Sequence, residues 1–220
     1  ICMFDFRRFL LTNFLNRGNT HFSDATDRGD TLSIRNFCQT YTLRDIDNIQ
    51  ASCNKYINQD CLQEELRAFD ERRHPNTPRH GKWGIVAKDK LSYGYQFLKP
   101  RGQWFFSSPL TLALRQLDIN PNTRKAMIQM DVAQEELTCL SSVVFYISGS
   151  EMHSTFVFRS LDAFNGFPYD IPIFHNKVFT EAVLRYNTMY VAKLSIGTMT
   201  IFVHDFHIYQ ADIPEIIALP

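Results

Sequence analysis

No CxxC pair occurs in the 220 residues, and the five cysteines (Cys2, Cys38, Cys53, Cys61, Cys139) are odd in number and scattered. That spacing speaks against a disulfide framework and against a zinc knuckle, and it points to a reducing, cytoplasmic setting. No apolar run approaches the length of a membrane span, and the opening ICMFDFRRFL is too short and too charged to read as a signal peptide. Net charge is missing too. The 23 basic and 23 acidic residues cancel, so the sequence lacks the usual signature of a generic nucleic-acid or membrane surface. Repeats and low-complexity segments are absent. What is abundant is phenylalanine, at 19 residues, which implies thick aromatic packing and ring-stacking surfaces. A chain of this length and hydrophobic content buries a full core, and one domain over 1–220 is expected.

Residues 3–16 (MFDFRRFLLTNFLN) place apolar side chains at helical spacing and stop at Arg17-Gly18, which predicts a helix. TLSIRNFCQTYTL (31–43) alternates in part and predicts a strand. Residues 44–73 are charged and helix-prone, with Leu62, Leu66 and Phe69 on one face. The stretch 74–104, with Pro, Gly, His and Lys in RRHPNTPRHGKWG, reads as a long surface excursion. SPLTLALRQL predicts a helix with an N-terminal proline, and RKAMIQMDV, after the turn DINPNT, a strand. LSSVVFYI (140–147), HSTFVFRS (153–160) and TMTIFVHDFHIY (198–209) are β-branched and aromatic runs, the first two joined like a hairpin across Ser148-Gly149-Ser150. An apolar stripe over 174–190 predicts a buried helix. The sum is an α+β fold with helices covering a strand-rich sheet.

Several residues could carry chemistry. Cys139, just ahead of a predicted core strand, is either a small buried hydrophobe or a nucleophile activated by a neighbouring cation or dipole. Arg28 (in TDRGDT), Arg124 and Lys125 (in NPNTRKAM), and Arg159 with Ser160 (in FVFRSLD) each read as local ion-pair partners or as parts of a shared phosphate site. Arg159 ends an apolar strand, where an unpaired guanidinium is costly. In HDFHIY, Asp205, His207 and Tyr209 share a strand face. With no further ligand cluster in the sequence, that face suits a sugar hydroxyl better than a metal. The strangest residue is Asp170, in SLDAFNGFPYDI (160–171). It follows a Gly-x-Pro turn and sits between Tyr169 and Ile171, where a neutral residue is easier to bury.

In this order the segments resemble the thymidylate synthase family. Cys139-Leu-Ser-Ser-Val-Val144-Phe145-Tyr146-Ile147 is similar to its nucleophile motif Cys-His-x-x-x-Gln-Phe-Tyr-Val. Arg159-Ser160-Leu-Asp162-Ala-Phe-Asn-Gly166-Phe-Pro168-Tyr-Asp170-Ile171 is similar to Arg-Ser-x-Asp-x-x-x-Gly-x-Pro-x-Asn-Ile. His204-Asp205-Phe-His207-Ile-Tyr209 resembles the closing Gly-Asp-x-His-x-Tyr. DRGDTLSI resembles a shortened Asp-Arg-Thr-Gly loop, EELRAF the helix with the catalytic glutamate, YGYQF the Tyr-Gly-x-Gln-Trp element, and NPNTRKAM the Asn-Pro-x-Ser-Arg-Arg strand. The similarity runs over roughly residues 5–210. Leu140, Val144 and Lys125 depart from it, in place of His, Gln and the second Arg.

The resemblance implies a mixed, twisted sheet that forms the interface of a homodimer. It also implies a pyrimidine nucleoside monophosphate as substrate and 5,10-methylenetetrahydrofolate as co-substrate, with no metal. Cys139 would add to C6 of the base, Glu65 would organise proton transfer, and Tyr93 would stand beside the thiol. Arg28, Arg159 and Ser160 would hold the 5′-phosphate, with Arg124 and Lys125 reaching in from the second subunit. His207 and Tyr209 would hold the sugar 3′-hydroxyl, and Asp162 and Trp83 would contact the folate. At position 170 the family's synthases carry Asn, which reads uracil, whereas its deoxycytidylate hydroxymethylases carry Asp. The resemblance therefore points to dCMP 5-hydroxymethylation and to viral DNA modification. A uridylate-acting relative and a non-catalytic nucleotide-binding protein stand as the alternatives.

Overall fold

A computed structural model describes residues 5–15, 21–23, 30–72, 93–98, 107–130 and 139–219. The β-branched and aromatic runs pair into one mixed, twisted sheet. Its strands are β1 (His21–Ser23), β2 (Thr31–Tyr41), β3 (Met127–Gln129), β4 (Leu140–Ser148), β5 (Glu151–Asp162) and β6 (Ser195–Tyr209), in the spatial order β1-β2-β6-β5-β4-β3. Every neighbouring pair is antiparallel except β5 and β6, which run parallel. The β4–β5 hairpin turns where Gly149 takes a φ of 60°, in the left-handed region that glycine enters without a steric penalty.

A parallel pair needs a crossover. Here α6 (Phe167–Phe174) runs on through a π-helical stretch, His175–Thr180, into α7 (Glu181–Tyr190), and the chain returns as β6. The remaining helices are α1 (Phe6–Leu10), prolonged by a π-helical turn at Leu11–Leu15, then α2 (Leu43–Cys53), α3 (Gln59–Asp70), α4 (Tyr93–Leu98), α5 (Pro109–Ile119) and α8 (Ile213–Ala218). The helix-prone region 44–73 splits in two because Thr42 and Asn58 each cap a helix start with their own side chain. The 74–104 excursion needs correcting where it is described: Tyr93–Leu98 is a helix with Gln96 and Phe97 buried.

Along each central strand alternate residues are buried. Val143 and Phe145, Met152, Phe156 and Phe158, and Met199, Ile201 and Val203 form the core face, while Thr155, Val157, Thr200 and Phe202 are half-buried on the other. Phe174 of α6 lies on the core face, its ring 5.6 Å from that of Phe156 and 5.7 Å from that of Phe158. At one level the ladder skips a pair in three adjacent strands, at Asn36, Arg159 and His204. Asn36 is left-handed there, with φ 55°, and its side chain meets His204 Nδ1 at 3.1 Å. Beyond that level the core-facing set moves by one residue, to Leu161, Phe206 and Ile208. The alternate positions, Ser160, Asp162, Asp205, His207 and Tyr209, then become a polar row on neighbouring strands.

Among the described residues no helix is long and apolar enough to cross a membrane. None of them form a group of three or more His, Cys, Asp or Glu placed to hold a metal ion.

Candidate active site

Cys139 stands half-buried at the start of β4, where its carbonyl accepts the Arg159 N–H at 2.9 Å. The next residue, Leu140, donates its N–H to the Tyr93 hydroxyl at 3.3 Å. Tyr93 is placed by two contacts of α4. Its ring meets Phe174 edge-on at 5.0 Å, and Gly94 lies so close to α3 that a Cβ there would stand 2.0 Å from the Phe69 carbonyl oxygen. The backbone of Cys139, the Tyr93 hydroxyl and the Arg159 backbone thus share one corner. The Arg159 side chain is exposed, so the strand does not bury a guanidinium as its apolar neighbours suggested.

One step along β5 the polar row begins. Ser160 Oγ lies 3.4 Å from His207 Nδ1, and the His207 and Tyr209 rings meet at 5.3 Å, nearly perpendicular. Asp205, opposite Ser160, is engaged by Arg35 at 3.0 Å. Asp162 pairs in register with His207 and is only 3 % exposed. Its Oδ1 accepts the N–H groups of Phe164 and Asn165, each at 2.9 Å, and its Oδ2 accepts the Asn165 amide at 3.2 Å. The same amide donates to Asp212 at 2.7 Å. Burial pushes the Asp162 carboxyl up from its ordinary value, against the opposing pull of the Asn165 N–H and of His207.

The turn that Asp162 organises leads straight into α6, and here one reading is corrected. Gly-x-Pro opens a helix, with Pro168 in its first turn, instead of forming a free-standing turn. Asp170 is 5 % exposed in that first turn, and every other residue of α6 is buried. A carboxylate at a helix start is favoured by the dipole, yet its burial among aromatic and aliphatic neighbours is costly for a charge.

Glu65 is half-buried on α3, next to Glu64, which is buried and engages Arg67. Arg124 and Lys125 are exposed ahead of the edge strand β3, two strands from β5, and make no side-chain ion pair among the described residues. Arg28 and Trp83 lie outside the described residues. Sequence reasoning missed Asn165 and Asp212, which have no motif, and the Asn58 cap, which an Asn ahead of an apolar helical pattern could have signalled.

The fold is α+β, a mixed sheet flanked by helices, with a polar row at one end of it. A family model described as Thymidylate synthase matches residues 87–219, more than half of the chain, and the chain belongs to that family. No curated protein matches it. The family transfers a one-carbon unit from methylenetetrahydrofolate to C5 of a pyrimidine nucleotide, and the activity of this chain is of that type.

Proposed function

We propose that this protein is a pyrimidine nucleotide 5-hydroxymethylase acting on dCMP. The observation that carries the reading is Asp170, a carboxylate 5 % exposed in the first turn of α6. Cytosine offers an N4 amino donor beside an N3 acceptor; uracil offers an O4 acceptor beside an N3–H donor. A carboxylate accepts from N4, and a proton shared between it and N3 completes the pair, whereas O4 of uracil meets only acceptors. A site built for one edge rejects the other, because its buried polar groups are left unpaired.

The remaining roles are those that the family resemblance implies for this chain's residues. The Cys139 sulfur adds to C6 and leaves C5 electron-rich, and the 5′-phosphate is held by Arg159 and Ser160, with Arg28 as a further phosphate ligand on the strength of the family resemblance. His207 and Tyr209 hold the sugar, and Glu65 and Tyr93 manage protons at the base. Arg124 and Lys125, exposed and with no ion pair among the described residues, complete the phosphate site of the second subunit in a homodimer, joined through the half-buried face of the sheet. Asp162 and Trp83 are the residues proposed to meet the folate, a carboxyl of the kind that pterin N–H donors engage and an indole ring. When bound, methylenetetrahydrofolate supplies the carbon that C5 receives. An apolar neighbourhood at Leu140 and Val144, with Leu140 fully buried, distinguishes this site from a synthase's.

The test is product identity. With dCMP and methylenetetrahydrofolate, mass spectrometry is expected to find 5-hydroxymethyl-dCMP. A methylated product, or a modified uridylate alone, overturns the reading.

A further inference from the structure

Helix α3 is held at both ends by the elements that carry the candidate site. At its start, the Asn58 N–H donates to the Tyr169 hydroxyl at 3.0 Å, across 111 residues of sequence. The Asn58 side chain meanwhile accepts from the Asp60 and Cys61 N–H groups at 2.9 and 3.2 Å, so Asn58 and the first turn move as one. Tyr169 is fully buried and immediately precedes Asp170. At the far end, the Phe69 carbonyl presses on Gly94. Gly94 follows Tyr93, whose hydroxyl accepts from Leu140 beside Cys139. Glu65 stands between these two clamps.

A phenylalanine ring would fill the same space at 169. What the hydroxyl adds is a fixed contact between α6 and the start of α3, and a buried hydroxyl is costly unless it is used in this way. We infer that Tyr169 is a positioning residue, which sets the place of the Glu65 carboxyl relative to the base held by Asp170. This inference rests on the functional reading above. A shift of the order of 1 Å in a reacting group costs up to about a hundredfold in rate.

Y169F and N58G test it. The second variant keeps the N–H but loosens the helix start. Each is assayed by kcat per adduct-forming site, nucleotide Kd, and additivity with E65Q. The expected result is a kcat per site lowered about tenfold, a nucleotide Kd within about twofold of the wild type, and little further loss when E65Q is added. A merely structural role would reduce the number of working sites and leave the rate of each unchanged, and that outcome overturns the inference. Should Y169F fail to fold, N58G alone decides on the same criteria. A wild type silent toward both dCMP and dUMP overturns the functional reading and this inference together. Wild-type turnover with unaltered variants overturns the positioning role alone.

Discussion

Cys139→Ser is expected to abolish turnover: folate-dependent loss of the C5 proton falls by at least roughly a thousandfold, because a serine hydroxyl at neutral pH is a far weaker nucleophile than the thiol proposed to act beside phosphate-binding arginines. The change is nearly isosteric, and Cys139 is only half-buried at the start of β4, so stability moves by less than about 1 kcal/mol. Nucleotide binding is expected to survive as well, since the proposed binding groups Arg159, Ser160 and His207 are untouched. The measurement is tritium release from C5 beside nucleotide Kd for the same preparation. A C139S enzyme that keeps its rate removes the thiol from the chemistry.

Asp170→Asn inverts base preference. The amide puts a donor opposite O4 of uracil and a carbonyl opposite its N3–H, and it leaves cytosine with a donor facing a donor. Each mismatched buried pair costs about 1–3 kcal/mol, so two of them shift the ratio of kcat/KM for dCMP over dUMP by roughly 30-fold to a few times 10⁴. The fold tolerates the swap, because Asp170 lies in the first turn of a helix whose other residues are all buried. Asn is nearly isosteric with Asp and keeps a hydrogen-bonding side chain at this place. Kinetics of D170N on both nucleotides decide the matter, and a variant that still prefers dCMP shows that position 170 does not read the base.

The strands of the second half were legible because period-two runs such as STFVFR carry their burial pattern openly, and β4, β5 and β6 match them closely. The start of α6 was not, because Gly-x-Pro serves equally for a turn and for a helix beginning with proline. Nor was the buried α4 legible inside a Pro- and Gly-rich stretch, since its burial depends on Gly94 meeting α3. The candidate site divides in the same way. Order along the chain singled out Cys139, Arg159, Asp162, Asp170 and His207. That Asn36, Arg159 and His204 fall on one level, and so turn Ser160, Asp162 and His207 into a single polar row, is a matter of register between strands far apart in sequence. Asn165 reaching Asp212, and Asn58 reaching Tyr169, are likewise contacts that no local pattern announces.

The most direct measurement is release of tritium from C5 of dCMP and of dUMP, with and without methylenetetrahydrofolate. The account predicts folate-dependent release from dCMP, with dUMP at background. Release from dUMP alone, or from neither nucleotide, contradicts it.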